Sequence, residues 1–184
     1  MSETADDRPT THEPTTTIWT LGHSTRSTEE LLAVLDAYAI ELVVDVRRFP
    51  GSRRLPQFSA DALDASLATH RVAYRWLAAL GGRRRPDAAS SNTGWRHPAF
   101  RAYADHVATE EFAEGLIELL MLAQGLRTAV MCAEVLWWRC HRRIIADVLS
   151  VLGIEVIHIR DAGIAEPHVV GPPARVVDGR LTYA

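Results

Sequence analysis

Thr128–Ile145, TAVMCAEVLWWRCHRRII, is the stretch on which the reading of this chain turns. Thr128 to Met131 is a short apolar run, the pattern of a buried strand. It stops at Cys132-Ala133-Glu134. A loop follows, and Cys140-His141-Arg142-Arg143 opens an apolar-periodic segment of helical character. Both cysteines of the protein lie here, one just past the strand and one at the helix start. In open α/β sheets, ligands sit outside the carboxyl ends of the strands, which makes this strand-to-helix passage a candidate site.

Working outward, segments of two kinds alternate. Thr17–Leu21 reads as a strand. Ser27 is a good N-cap, with Glu29 and Glu30 in the first helical turn where carboxylates oppose the helix dipole. Leu31, Leu32, Val34, Leu35 and Tyr38 give that helix an apolar face. Glu41–Val46 is a β-branched run suited to a strand buried on both faces. Ser59 caps a second helix through about His70, and Val72–Trp76 is a third strand. Pro98–Ala108 and Thr109–Ala123 read as helices. Thr128–Cys132 is the fourth strand, Trp138–Leu152 a helix and Glu155–Ile159 a fifth strand. Strands separated by helices imply right-handed βαβ units and a mainly parallel sheet. The expectation is a single three-layer α/β domain with about five strands over residues 17–160. Residues 161–184 would form an extension, with Asp178-Gly179 turning a C-terminal edge hairpin. Residues 1–16, rich in Thr, Asp, Glu and Pro, read as a disordered tail.

Composition narrows the class. The 184 residues suffice for a real core, and 47% are hydrophobic. No apolar run approaches the roughly 20 residues of a membrane helix, and the N-terminus has no apolar signal region. Two cysteines make no disulfide framework, so a cytosolic, reducing setting and no membrane partner are expected. All 20 basic residues are arginine, and the net charge is −3. Arginine presents a planar fork of donors that matches carboxylate and phosphate. The near-balanced charge argues against broad DNA coating, which needs a large basic face, but leaves room for a local basic cleft.

In a parallel sheet the strand ends share one rim. That rim would gather His23, Ser24 and Arg26 after the first strand, Arg47 and Arg53 after the second, Arg83 after the third, and Cys132 and Glu134 after the fourth. The helix start at Cys140-His141-Arg142 adds N–H donors and a positive dipole end, a seat for an anion. His23 and His141 are natural acid–base groups, Cys132 and Cys140 are thiols that a helix start or arginine can activate, and Glu134 can orient a histidine, pair with Arg142 or act as a base. Asp45, at the end of an apolar strand, needs a partner, expected among the arginines. Asn92, Trp95, Arg96 and Arg101 combine an amide, an aromatic ring and two forks, a set able to stack and hydrogen-bond a nucleotide. Trp95 reads equally as a lid packed on the core. Trp137 and Trp138, being adjacent, should point different ways, one inward and one outward, the latter suited to contact with a second copy in a homodimer.

GHSTRSTEEL, VVDVRRFPGSRRLPQF, LGGRRR, the N-x-x-W-R of Asn92–Arg96, FRAYADHV and MCAE…CHRRIIAD follow one another in this order. Together they resemble the bacterial domain-of-unknown-function family numbered 488, over roughly Ile18–Ile159. The resemblance implies a single α/β domain in a bacterial cytosolic protein and supplies no reaction. The loop between MCAE and CHR in such proteins is usually polar; here it is Val135-Leu136-Trp137-Trp138-Arg139.

Three functions follow from these residues. The first is an Arg/His/Cys-lined anion site that binds or processes a nucleotide or nucleic-acid phosphate. The second is cysteine chemistry of a sulfurtransferase or phosphatase kind, although Cys132–Arg139 lacks the Gly-rich cradle that wraps an oxyanion. The third is a non-catalytic binding module of a larger complex. No metal or cofactor is assigned: Cys-x7-Cys is not a zinc-ribbon spacing, and Cys132, Cys140 and His141 with His23 as fourth ligand is the set that would hold one.

Overall fold

The computed structural model describes residues 16–51 and 54–184. The expected tail, up to residue 15, and Arg53 lie outside the described residues. The strands are β1 (Thr17–Gly22), β2 (Leu42–Asp45), β3 (Ala73–Trp76), β4 (Thr128–Cys132), β5 (Glu155–Asp161) and β6 (Ile164–Pro167). They form one sheet in the order β3-β2-β4-β1-β5-β6. The first five are mutually parallel, and β6 runs antiparallel on the β5 edge. A separate two-stranded ribbon joins β7 (Arg175–Val177) to β8 (Arg180–Thr182). The expected hairpin is therefore present, with Asp178 at φ 50° and Gly179 at φ 73° supplying the turn. It stands apart from the main sheet, whose edges are β3 and β6, the latter turned back from β5 at Gly163.

Among the described residues five α-helices cover the sheet: α1 (Thr28–Ala37), α2 (Ala60–Thr69), α3 (Pro98–Val107), α4 (Glu110–Leu122) and α5 (Arg142–Val151). Their starts follow from local chemistry. Ser27 and Glu30 close a reciprocal capping box on α1, Pro98 opens α3, and Thr109 accepts from the Phe112 N–H at the start of α4. The helix expected from Trp138 breaks in two: Trp137–Arg139 is a single 3-10 turn, and α5 begins only at Arg142.

Alternation along the strands divides the core. Trp19, Leu21, Val43, Ala129 and Met131 face α1 and α2. Ile18, Leu42, Val44 and Val130 face the layer that holds α3, α4 and α5, and Tyr183 after β8 packs there too. Each fully buried aliphatic side chain contributes about 1.5–3 kcal/mol. This arrangement creates a crevice. The chain leaves β1 and β2 for helices on one face, and leaves β4, which lies between them, for α5 on the other. Diverging connections at neighbouring strands open the carboxyl rim at β4. Gly22 stands level with Cys132, and Asp45 with Met131, so three strand ends meet there.

Candidate functional site

The site rests on a buried ion pair. Asp45, with no exposed surface, accepts from the backbone N–H of Arg47 at 3.0 Å, from Arg47 Nε at 2.9 and 3.0 Å, and from Arg47 Nη2 at 2.5 Å. Tyr74 Oη donates to the same carboxylate at 2.8 Å. Arg47 Nη1 donates to Phe58 O at 2.8 Å and reaches His23 Nε2 at 3.2 Å. Because a guanidinium only donates, His23 Nε2 accepts and its Nδ1–H donates to Ser24 O at 2.9 Å. Burial and the Arg47 charge lower the His23 ring to about 4, so it stands neutral. Gly22 is required where it is: a Cβ there would lie 1.9 Å from Glu134 O.

Beside this pair lie the two sulfurs. Cys140 Sγ is 3.6 Å from His141 Nδ1 and accepts from Arg142 Nε at 3.4 Å. Burial by itself raises the Cys140 thiol, but a hydrogen bond from Cys132 and the neighbouring His141 and Arg142 outweigh it. They hold Cys140 well below the ordinary cysteine range. That same hydrogen bond, then burial, pushes Cys132 up. The two thiols are thus pushed in opposite directions by the same buried surroundings. His141 Nε2–H donates to Val46 O at 3.1 Å, which aims Nδ1 at the sulfurs. A Cβ on Gly82 would stand 2.8 Å from that Nδ1.

Among the described residues Arg142 heads the fully buried side chains by size, and no carboxylate lies within ion-pair distance of it. It is held by Glu134 O, by Val135 O at 3.4 Å, by Cys140 Sγ and by Thr20 Oγ1 at 3.4 Å. From Thr20 a buried chain of donors runs inward. Thr20 Oγ1 donates to His158 Nδ1 at 2.7 Å, His158 Nε2 to His168 Nδ1 at 2.9 Å, and His168 Nε2 to Asp147 Oδ1 at 2.9 Å. Tyr183 Oη completes Asp147 at 2.9 Å. Burial, then His168 and Arg142, lowers His158 to about 2. Trp137 stacks on His158 with ring centroids 4.1 Å apart and donates to Glu166 Oε1 at 2.7 Å. The Val-Leu-Trp-Trp departure thereby gains a role: Trp137 seals the histidine pair, and Trp138, 38% exposed, turns outward.

Above the sulfurs opens a cleft of about 720 Å³. Arg47, Arg48, Arg83 and Arg139 line it together with Cys132, Cys140 and His141, against the single acid Glu134. Phe49, 67% exposed, and Trp138 add aromatic surface.

Of the residues expected on the rim, Arg47, Arg83, Cys132, Glu134, Cys140 and His141 converge on this cleft, and Arg142 lies beneath it. His23 sits behind Arg47, and both its nitrogens are engaged, so it is no fourth metal ligand. Glu134 orients no histidine and does not pair with Arg142 through its carboxylate; its backbone carbonyl accepts from Arg142, and its carboxylate from the Leu136 N–H at 3.2 Å. Ser24 and Arg26 line a separate small pocket, where Arg26 is held by Gly22 O and Arg160 O at 2.5 Å. The Asn92–Arg101 set forms no stacking platform. Trp95 is buried against Phe100 and Tyr183, Asn92 donates to Asp105 at 2.8 Å, Arg101 is tied to Trp95 O, and Arg96 points to solvent outside the cleft. Arg48, which stands beside Arg47 after the second strand as part of a possible phosphate clamp, also lines the cleft, whereas sequence reasoning missed Phe49, Arg139 and the relay of Thr20, His158, His168, Asp147 and Tyr183. Only the singular buried-strand polar residues Thr20 and His158 offered a signal.

Residues 27–149 match the family model described as Domain of unknown function DUF488. The chain belongs to the DUF488 family. The matched region runs from the α1 cap to the last turn of α5, so it contains the Asp45–Arg47 pair, both cysteines and the cleft, while β1, His158, His168 and Tyr183 lie outside it. Comparison with curated proteins and with solved structures returned no match. Among the described residues of this DUF488 chain, no helix is long and apolar enough to cross a membrane.

Proposed function

We propose that this DUF488 protein binds a phosphate-bearing ligand, a nucleotide or nucleic-acid phosphate, in the arginine-lined cleft and presents it to the Cys132/Cys140/His141 cluster. The observation that carries the reading is the lining itself: four arginines face one acid, with sulfur and imidazole groups at the floor. Arg47 shapes the wall, because Asp45, Phe58 and His23 already occupy most of its donors. Arg83 and Arg139 are exposed and in no ion pair among the described residues, so their forks are available to an anion. Phe49 and Trp138 offer the faces on which a base would stack, the part the sequence had given to Trp95.

The test is calorimetric titration of the chain with nucleoside mono- and diphosphates, short single-stranded DNA and RNA, and inorganic phosphate. Binding that weakens with salt and falls about tenfold or more in Arg83→Ala/Arg139→Ala supports the reading, since each charge-assisted bond contributes about 1.5–3 kcal/mol. Absence of binding by every ligand, or affinity indifferent to both substitutions, rejects it.

A further inference from the structure

We propose that Cys132, Cys140 and His141 form a three-ligand site for a zinc-type divalent cation, with its fourth position open to the cleft. Their ligand atoms all lie within 4.8 Å of one another, and all three residues line the cleft. Tetrahedral zinc, with bonds of about 2.3 Å to sulfur and 2.0–2.1 Å to nitrogen, sets sulfur and nitrogen ligands about 3.6 Å apart. Cys140 Sγ and His141 Nδ1 stand 3.6 Å apart.

The surroundings are those a metal needs. A ligating histidine usually gives its other N–H to a carbonyl or carboxylate, which fixes ring and tautomer. His141 Nε2 does so to Val46 O, leaving Nδ1 free to coordinate. One sulfur is supported as well: Arg142 Nε donates to Cys140 Sγ at 3.4 Å. Gly82 leaves the approach to Nδ1 clear where any Cβ would stand 2.8 Å from it. Two thiolates and an imidazole select zinc over magnesium or calcium.

Binding is a ligand exchange with no redox change. The cation takes both cysteine sulfurs as thiolates and the His141 Nδ1 lone pair, and the thiol protons it displaces go to solvent. Two thiolates then cancel the metal charge and leave Arg142 as the adjacent buried cation. The fourth position therefore favours an anionic oxygen: a hydroxide, or an oxygen of the phosphate group. That last point rests on the anion-binding reading above; the metal site itself does not.

The chain, purified under reducing conditions, stripped by chelation and desalted, is titrated with cobalt(II) and with zinc(II). The expected result is one zinc retained per chain by elemental analysis. The cobalt form should show a thiolate-to-cobalt charge-transfer band, abolished in Cys132→Ser and in His141→Ala while circular dichroism stays native. Should a variant fail to fold, the wild-type cobalt spectrum and zinc content decide alone. A folded wild-type chain that retains no zinc and develops no such band overturns the proposal, as does a reduced chain that only forms a Cys132–Cys140 disulfide under mild oxidation. Phosphate-ligand calorimetry on the metal-free chain separates the two ideas: binding there with no metal uptake sinks the metal site and leaves the anion cleft standing.

Discussion

Replacing Asp45 tests the foundation of the cleft. Asp45 is fully buried and Arg47 is 7% exposed. In Asp45→Ala the guanidinium stays inside without its counter-charge, and the Tyr74 hydroxyl loses its acceptor. Removing one partner of a buried ion pair typically costs about 3–5 kcal/mol, because the remaining charge is left uncompensated. Set against a total stability of roughly 5–15 kcal/mol, that is a large fraction. For a chain of this size it corresponds to a fall of about 10 °C or more in Tm. Urea denaturation followed by circular dichroism measures it as a drop in midpoint at constant slope. Arg47→Met in the Asp45→Ala background should recover part of the loss, since the stranded charge is gone. Recovery stays incomplete because Phe58 O and His23 Nε2 then lack their donor. A loss below about 1 kcal/mol for Asp45→Ala, or strictly additive single and double variants, would refute the account of Asp45–Arg47 as one unit.

Three further outcomes follow from the same geometry. His23 and His158 are held neutral by burial, at about 4 and about 2, below the ordinary 6.5. The unfolded chain therefore binds more protons, and stability is full above pH 6.5 and falls as pH drops below it, by up to about 1.4 kcal/mol per unit for each ring; urea midpoints that are flat between pH 7 and 5 contradict this. Gly22→Ala places a Cβ 1.9 Å from Glu134 O, which should destabilise by about 1–3 kcal/mol or more and shift the Cys132–Glu134 loop, read by urea midpoint and thiol reactivity; a variant as stable as wild type argues that the loop gives way freely. Trp137→Ala uncovers the His158–His168 pair and leaves Glu166 unpaired, with an expected cost of about 2 kcal/mol for a half-buried ring and faster exchange of the imidazole protons by NMR; unchanged exchange would show that another group seals the relay.

Much of the architecture was legible in the chain because it depends on local chemistry. The Ser27–Glu30 box, Pro98 and Thr109 announce helix starts, and apolar four- to six-residue runs announce strands buried on both faces. The expectation that Asp45 pairs with an arginine needed only the cost of burying a lone carboxylate. The errors arose where the deciding partner is distant. Trp95 looks like a stacking residue until Phe100 and Tyr183 cover it. Arg26 and Arg101 look like free forks until backbone carbonyls occupy them. β6 is short and half-polar, and only pairing with β5 makes it a strand.

By itself the sequence determined the class of this protein: a DUF488 α/β domain whose MCAE segment ends a strand and whose CHR segment starts a helix. Strand and helix signals, and the thiol, imidazole and guanidinium types, are properties of contiguous residues and can be read in order. Tertiary structure alone decided which arginines face the cleft and which are locked. It decided that Cys132, Cys140 and His141 share one small volume. It also joined Thr20, His158, His168, Asp147 and Tyr183 in a buried relay under Arg142. The reason is physical: a hydrogen bond or ligand set depends on ångström distances between side chains from different strands, and those distances exist only once the register and the strand order are set.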